Sequence, residues 1–297
     1  MEVPKLSVVI PTYQGVKRVG SVLECLSAQV FRDFEAVVVV DGSTDGTYEL
    51  LSGMSWSFPM NIINQVNKGR AGARNSGALA ARSPMVVFLD DDVLFDDKQL
   101  GRFSDLADAG HAIVGGTVYP VESADHAEFL TYSRYLDKKW SKGVLERGPM
   151  KTPFLIAANS MVKRSVFVDL GMFDERLRDA EDLDFAIRAF EKNIAIYFEP
   201  DIIVGHHLKT SFLDYGKRLA EYDKARRALL TINPSAGKYI GVMRSHGAKS
   251  FLYDLFASSF WLKMIDIGLF SLVPLTLRYR LYDFLLTANA RKLSAAS

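Results

Sequence analysis

The chain carries, near its amino terminus, the run Leu6-Ser7-Val8-Val9-Ile10-Pro11-Thr12-Tyr13-Gln14-Gly15, from which its architecture can be predicted. The first five residues form a short apolar run typical of a buried strand, and the rest form a polar turn. Apolar residues then recur at helical spacing, at Val19, Val22, Leu23 and Leu26. This order predicts the start of an alternating α/β domain with a parallel sheet, in which ligands bind beyond the carboxyl ends of the strands.

Two later strand-like runs are each followed by acidic residues. Ala36-Val37-Val38-Val39-Val40 precedes Asp41-Gly42-Ser43-Thr44-Asp45-Gly46-Thr47, and an apolar run precedes Asp90-Asp91-Asp92. Adjacent carboxylates at a sheet edge repel one another, and this repulsion is costly unless a cation binds. Hard oxygen ligands suit Mg²⁺ or Mn²⁺. These ions usually complete their coordination with water and substrate phosphates, so the triplet predicts a metal site for a phosphorylated ligand. Taken alone, the triplet is equally consistent with a solvated acidic turn.

A basic segment lies between these two acidic loops in the sequence. Asn67-Lys68-Gly69-Arg70-Ala71-Gly72-Ala73-Arg74-Asn75 lies between a strand-like run and a helical one. The amino terminus of a helix, assisted by cationic side chains, can bind an anion such as a diphosphate. The loop after the first strand lacks the spacing G-x-G-x-x-G, which disfavours a site for NAD or FAD.

Together these runs resemble the donor-binding half of family 2 inverting glycosyltransferases, of the type found in bacterial polysaccharide or glycan biosynthesis. The motifs that carry the resemblance occupy residues 9–13, 40–46, 67–69, 73–75 and 88–92. Their order and spacing are specific, and the resemblance extends from about residue 5 to residue 210. It implies the GT-A fold, a mostly parallel twisted sheet flanked by helices, followed here by a helical carboxyl-terminal appendage.

The resemblance implies a nucleotide and metal site on these loops. Asp41 would contact the nucleobase, with uracil favoured, and Asp92 would bind Mn²⁺ or Mg²⁺. One of Asp90 and Asp91 would contact the ribose, and because their assignment stays open, Asp90 is also a candidate metal ligand. The other nucleotide-binding candidates are Pro11, Thr12, Tyr13, Asn67, Lys68, Gly69 and Arg74.

The second half of the chain supplies a candidate general base. Glu181-Asp182 lies at the start of a run with helical apolar spacing, where acids are normally structural because they favour helix starts. The resemblance implies instead that Asp182 is the general base and that Glu181 orients it or binds acceptor hydroxyls. A carboxylate suffices because the acceptor hydroxyl becomes acidic as its bond to the sugar forms. The predicted acceptor-binding residues are Asn159, Glu181 and Trp140.

Paired histidines end another strand-like run, Ile202-Ile203-Val204-Gly205-His206-His207. A histidine after a strand is usually structural, and strand alternation allows only one of the two to face the site. The resemblance favours His206 as a further metal ligand.

The chain is expected to comprise a catalytic domain and a helical region. Residues 1–210 form the catalytic domain, with a nucleotide-sugar-binding half at 1–118 and an acceptor-binding half at 119–210. Residues 211–297 form the helical region, and its apolar part at 251–287 is interrupted by charges. The longest uncharged stretch, 267–277, is far short of the roughly 20 residues that a spanning helix needs. These helices either lie in a membrane interface, or pack on the catalytic domain or against a second copy.

Bulk composition excludes some functions. A net charge of +1 over 297 residues gives nucleic-acid binding no electrostatic support. A single cysteine, Cys25, rules out a disulfide within the chain and favours a reducing compartment. The apolar run near the amino terminus is too short for a signal-peptide core. The expected location is cytoplasmic, either free or peripheral on the inner face of the cell membrane.

The predicted function is metal-dependent, inverting transfer of a sugar from a nucleoside diphosphate sugar, preferably a UDP-sugar, to a hydroxyl of a saccharide or lipid-linked saccharide. One alternative is a polyprenyl-phosphate sugar synthase, whose anionic acceptor needs no base. The other is a non-catalytic sugar-nucleotide-binding module. A sugar-phosphate nucleotidyltransferase is disfavoured because the loop after the first strand is not the glycine-rich, arginine-containing loop that grips a triphosphate.

Overall fold

A computed structural model describes residues 2–121, 127–140, 145–206, 211–243 and 250–295. The chain divides into two units. The sheet unit contains residues 1–120 and 143–207, and the helical unit contains residues 121–142 and 208–297. In the described part of the chain, no helix is both long and apolar enough to cross a membrane.

In its first part, residues 6–89, the sheet unit alternates strands and helices, as the sequence predicts. Its strands are β1 (Leu6–Thr12), β2 (Phe34–Asp41), β3 (Met60–Gln65), β4 (Met85–Leu89), β5 (Val93–Leu94), β6 (Ile113–Pro120), β7 (Gly148–Pro149), β8 (Asn159–Lys163) and β9 (Tyr197–His206). Its helices are α1 (Val19–Ser27), α2 (Thr47–Ser52), α3 (Gly69–Ala80), α4 (Gln99–Asp108), α6 (Arg164–Asp169) and α7 (Glu181–Glu191).

These strands form one mixed sheet in the order β3-β2-β1-β4-β8-β6-β9-β5, with β7 paired to β9. The first four are parallel to one another, β8 is antiparallel to both of its neighbours, and β6 is parallel to β9. Six of these strands therefore point the same way, which confirms the mostly parallel sheet. The carboxyl ends of those six strands lie at one edge.

Both faces of the sheet are covered by apolar side chains. Val8 and Ile10 belong to one core cluster, and Val9 between them belongs to the other. A strand buried on both faces needs apolar residues at every position, which explains the continuous valine-rich runs. Helix α3 lies close to the sheet at Gly77, where a Cβ atom would come within 2.3 Å of the Val9 side chain.

The helical unit is built from α5 (Ala127–Trp140), α8 (Phe212–Ile232), a 3₁₀ helix (Pro234–Lys238), α9 (Ser250–Phe256), α10 (Ser259–Asp266) and α11 (Leu275–Ala295). Its core is aromatic. The ring of Phe212 lies 5.3 Å from that of Tyr132 and 4.8 Å from that of Tyr282. The Tyr132 hydroxyl also donates a hydrogen bond of 2.5 Å to Asp283.

One boundary differs from the expected domain division. Helix α5 lies in the range expected to form the acceptor-binding half, yet it belongs to the helical unit together with residues 208–297. The physical reason is its aromatic face, because Phe129 and Tyr132 are buried against the aromatic residues of α8 and α11.

Candidate active site

The three adjacent acids after β4 each contact a different basic side chain. Asp90 Oδ1 lies 2.6 Å from an Nη atom of Arg74, and Asp92 Oδ1 lies 3.1 Å from His206 Nε2. Asp91 is buried and accepts hydrogen bonds from Thr12 Oγ1 at 2.6 Å and from Arg18. Because each acid has its own hydrogen-bonding partner, and two of these partners are arginines, a run of three carboxylates is tolerated at one turn.

Asp90, Asp92 and His206 form a candidate metal centre. One ligand atom from each lies within 4.8 Å of the other two, and all three residues are half-buried. The backbone explains this proximity, because β5 directly follows the triplet and pairs Val93 with His206. Two carboxylates and an imidazole are a donor set that suits Mn²⁺ and is acceptable to Mg²⁺. The residues present therefore fit the predicted ion.

Asp92 and His206 shift the pKa values of each other. Burial alone would raise the pKa of Asp92, but the hydrogen bond and charge of His206 outweigh it and lower that pKa. The hydrogen bond to Asp92 in turn raises the pKa of His206, against the effect of burial. Asp91, next in the triplet, has its pKa raised by burial despite its contacts with Arg18 and Thr12.

Arg74 joins the candidate metal centre to the predicted acceptor side. Its other Nη atom lies 2.6 Å from Glu181 Oε1, and its side chain is only 4% exposed. Burial alone would lower the pKa of Arg74, but the charges of Asp90 and Glu181 outweigh it and raise that pKa. Arg74 is predicted to contact the nucleotide, whereas the structure shows a buried guanidinium already occupied by two carboxylates. Its position indicates a bridge between the acids rather than a nucleotide ligand.

The predicted general base, Asp182, is held by main-chain amides. Its Oδ2 accepts the N–H of Ala157 at 3.1 Å, and its Oδ1 accepts the N–H of Leu183 at 2.8 Å. Burial raises the pKa of Asp182, and the charge of Asp90 adds to this effect. Burial likewise raises the pKa of Glu181, against the opposing charge of Arg74. A carboxylate has about four acceptor positions, so Asp182 keeps lone pairs available for an acceptor hydroxyl.

Asp41 is fixed at the carboxyl end of β2. It is buried, and its Oδ1 accepts hydrogen bonds from Gln65 at 2.7 Å and from the Lys68 N–H at 2.9 Å. Asn67 donates to the main-chain oxygen of Asp41 at 2.9 Å. Gly42 has φ of +75°, and a Cβ atom there would lie 2.8 Å from the Asn67 nitrogen. The loop after β2 therefore packs directly on the basic segment, with Asp41 as the shared acceptor.

The residues predicted to line the nucleotide differ in exposure. Tyr13, Asn67, Lys68 and Gly69 are exposed, and Pro11 is half-buried. Thr12 is buried, and it contacts Asp91 instead of solvent. The exposed residues among these are therefore the ones that a ligand at this sheet edge can reach.

Two contacts near this edge were not identified from the sequence. Arg18 donates to both oxygens of Asp91 and to the main-chain oxygen of Tyr13. The Gln14 amide pairs with Thr44 in both directions, donating at 3.1 Å and accepting at 2.8 Å. This pair ties the loop after β1 to the loop after β2. No pattern in a single sequence reveals such a contact between loops, although Arg18 has a recognisable signal, a basic residue directly before α1.

Asn159 does not occupy the position expected of an acceptor ligand. Its side chain is fully buried, its Nδ2 donates to the main-chain oxygens of Thr117 and Ile202, and its Oδ1 accepts from Gln99. Both amide protons and the amide oxygen of Asn159 have partners, which connect β8 with β6, β9 and α4. The structure thus corrects the expected role from acceptor contact to crosslink within the core.

Two other predicted positions fall outside the described residues. The backbone of Trp140 ends α5, but its side chain is outside the described part, and so is the whole of His207. Further along α7, Asp184 and Arg188 make contacts within the fold. Arg188 Nε donates to Asp184 at 2.8 Å, and the same guanidinium donates to the main-chain oxygen of Met172.

We expect the substitution Ala180→Gly to stabilise the protein by about 0.5–1 kcal/mol. Ala180 precedes α7 with φ of 67°, a left-handed conformation that disfavours any residue with a Cβ atom. The measurement is the midpoint of urea unfolding. The matched control is Ala186→Gly, inside the same helix, which should destabilise by at least about 1 kcal/mol because a buried methyl group is also lost. A destabilising effect of Ala180→Gly would contradict the strain argument.

Comparisons with known proteins identify the family of this chain. The sequence model described as glycosyl transferase family 2 matches residues 7–171. An uncharacterised glycosyltransferase of Haemophilus influenzae is 26% identical over 195 residues, which are 63% of this chain and 62% of the relative. Glycosyltransferase AglE of Haloferax volcanii is 28% identical over 211 residues, 68% of this chain and 67% of the relative. The chain thus spans about three fifths to two thirds of the length of these relatives.

Solved structures with the same fold cover nearly the whole chain. S. aureus TarS, residues 1–349, in complex with UDP superposes with a TM-score of 0.56 at 18% identity, covering 98% of this chain and 90% of that one. The mannosyltransferase PcManGT from Pyrobaculum calidifontis, in complex with GDP-Man and Mn²⁺, gives a TM-score of 0.60 at 19% identity, covering 100% and 89%. These likenesses confirm the GT-A fold. Because the family match covers more than half of its 297 residues, the chain belongs to glycosyl transferase family 2.

Proposed function

We propose that this protein transfers a sugar from a nucleoside diphosphate sugar to a hydroxyl of a saccharide or lipid-linked saccharide, with inversion at the anomeric carbon. The observation that carries the proposal is the position of Arg74. One buried guanidinium contacts Asp90 of the candidate metal centre and Glu181 beside the candidate base. The groups suited to a donor diphosphate and the group suited to a hydroxyl acceptor are thereby held at one sheet edge.

The donor side of the proposal rests on the loops after the parallel strands. Asp41 and the exposed residues Tyr13 and Lys68 would bind the nucleoside and its diphosphate. We favour a UDP-sugar because Asp41 resembles the residue that meets uracil in the family. Of the neighbours with this fold, TarS was solved with UDP and PcManGT with GDP-Man, so both nucleotides belong in a binding test.

Asp90, Asp92 and His206 would hold Mn²⁺ or Mg²⁺, and the ion when bound would stabilise the negative charge of the departing nucleoside diphosphate. The donor atoms of these residues lie within 4.8 Å of one another, which supports this assignment. The exposed Lys68, at the start of α3, would add a positive charge near the diphosphate.

Asp182 would act as the general base. Its carboxylate accepts the proton of the acceptor hydroxyl while that oxygen forms a bond to the anomeric carbon. The bond from that carbon to the diphosphate oxygen breaks on the opposite face, so the configuration inverts. Burial favours this role because it raises the pKa of Asp182 and makes the carboxylate a stronger base. The hydrogen bonds that Asp182 accepts from the main-chain N–H groups of Ala157 and Leu183 would keep the carboxylate oriented.

The competing functions make different demands on Asp182. A polyprenyl-phosphate sugar synthase has an acceptor that is already an anion, and it would not need a buried carboxylate with a raised pKa. A non-catalytic module would bind the donor without any need for the base. The ordered environment of Glu181 and Asp182 favours transfer to a hydroxyl over both. The proposed location remains cytoplasmic, free or peripheral on the membrane.

A calorimetric titration of UDP, GDP and dTDP, with and without Mn²⁺, tests the donor site. We expect one nucleotide to bind in a metal-dependent manner, and Asp92→Asn to weaken that binding by at least about tenfold because the amide is a poorer metal ligand. The matched control is Asp97→Asn, an exposed acid a few residues further along the chain. Equal metal dependence in the wild type and Asp92→Asn would remove Asp92 from the metal centre.

A further inference from the structure

The helical unit carries an exposed apolar surface at the connection between α10 and α11. Residues 267–277 contain no charged side chain, and we call them the apolar segment. Its exposed large side chains are Ile267, Leu269, Leu272, Leu275 and Leu277, and Leu272 is 96% exposed. Among the described residues, nine of the twenty-one exposed large apolar side chains lie between 251 and 277. A concentration of exposed apolar side chains of this kind marks an interaction surface.

The apolar segment is ordered by contacts within the helical unit. Successive turns are closed by main-chain hydrogen bonds, from Leu269 to Met264 at 3.0 Å and from Ser271 to Gly268 at 3.0 Å. Arg278 Nη1 also donates to the main-chain oxygen of Ser271 at 3.1 Å. Because these peptide groups already have partners, moving the segment out of water leaves few polar groups unsatisfied. The free energy of insertion would come from the leucine side chains, whose transfer out of water is favourable.

Charge is distributed unevenly between the two units. The helical unit contains eighteen basic and ten acidic residues, a net charge of +8, whereas the sheet unit has eighteen and twenty-five, a net charge of −7. Two of the basic residues, Lys263 and Arg280, are exposed and flank the apolar segment. An apolar surface within a strongly basic unit is complementary to anionic lipid. A second copy of the same unit would instead meet it with like charge.

We propose that the apolar segment inserts into the interfacial region of a bilayer that contains anionic lipids. Its leucine side chains enter the boundary between headgroups and acyl chains, to a depth of roughly 5–10 Å. Lys263 and Arg280, which flank the apolar segment, contact the headgroups. The contact depends on the helical unit alone and not on the donor or acceptor of the sheet unit.

Flotation of the purified full-length chain with vesicles tests this proposal. We expect binding to vesicles of phosphatidylcholine mixed with phosphatidylglycerol, weaker binding in high salt, and little binding to phosphatidylcholine alone. Leu272→Asp should lower the partition coefficient at least about tenfold, because a leucine that enters the bilayer is replaced by a charge. The matched control is Val30→Asp, which changes an exposed apolar residue of the sheet unit and should bind like the wild type.

Insertion itself is tested with Leu272→Trp and brominated lipids. We expect vesicles to quench the fluorescence of this variant more strongly than that of the wild type, and Val30→Trp to show no added quenching. Leu272 is almost fully exposed, so all of these variants should fold, which circular dichroism verifies. Equal vesicle binding by Leu272→Asp and the wild type would overturn the proposal. So would a dimer in solution that Leu272→Asp abolishes, since the surface would then bind a second copy.

Discussion

Asp182→Asn is expected to lower kcat by about 10²–10⁴-fold, the usual contribution of a general base. Asparagine has nearly the same shape and can still accept the N–H of Ala157, so the loop before β8 should keep its position. The amide cannot take the proton of the acceptor hydroxyl. The measurement is steady-state transfer with the donor identified by calorimetry, and donor affinity should be unchanged.

The matched control for this variant is Glu191→Gln, which removes an exposed carboxylate from the other end of α7. This control should transfer the sugar at the wild-type rate. Full activity of Asp182→Asn toward a hydroxyl acceptor would exclude Asp182 as the base. A product with retained anomeric configuration would exclude direct displacement, whichever residue is the base.

The pH dependence of the wild type provides an independent readout of the same carboxylate. The base works only when deprotonated, so kcat/KM should fall as the pH drops through its pKa. Because burial raises the pKa of Asp182, this fall should begin at a higher pH than for a free aspartate, whose pKa is about 3.9. A rate that stays constant down to the range of a free aspartate would contradict this assignment.

The sheet and the position of the candidate site could be predicted from local patterns. A strand buried on both faces requires a continuous apolar run, so β1, β2 and β4 are recognisable in the sequence. Parallel strands bring their carboxyl ends to one edge, and this rule alone predicts that Asp41 and Asp92 lie on the same side of the sheet. The resemblance to the family added His206, which lies 3.1 Å from Asp92.

The contacts among the polar residues could not be predicted in the same way. Three successive acids leave a turn in different directions, and nothing in their spacing shows that Asp90 contacts Arg74 while Asp91 contacts Arg18. Asn159 is a similar case, because a polar residue at the start of a strand does not reveal whether its partners are a ligand or the main chain of β6 and β9. Such contacts depend on residues far apart in the chain.

Arg74→Met is expected to destabilise the protein by about 3–5 kcal/mol at neutral pH, because it leaves the buried Glu181 and the half-buried Asp90 without their shared cation. Methionine approximates the length of the arginine stem, so the loss is mainly electrostatic. The measurement is the free energy of unfolding from urea titration. The matched control is Arg70→Met, one turn earlier on α3, whose ion pair with Asp179 is largely solvent-exposed on the arginine side. It should cost less than about 1 kcal/mol.

Two further measurements separate charge from packing as the cause of the loss. In Arg74→Met the pKa of Glu181 should rise further in the folded state, so the destabilisation should shrink as the pH falls and the carboxyl takes up a proton. Adding Glu181→Gln to Arg74→Met removes one of the two unpaired charges and should restore part of the stability. Glu181→Gln alone should instead be destabilising, because it removes a partner of the buried Arg74. If Arg74→Met costs no more than Arg70→Met, or if its effect is the same at all pH values, the two carboxylates do not depend on the guanidinium. The link between the donor and acceptor sides of the site would then have to lie elsewhere than in Arg74.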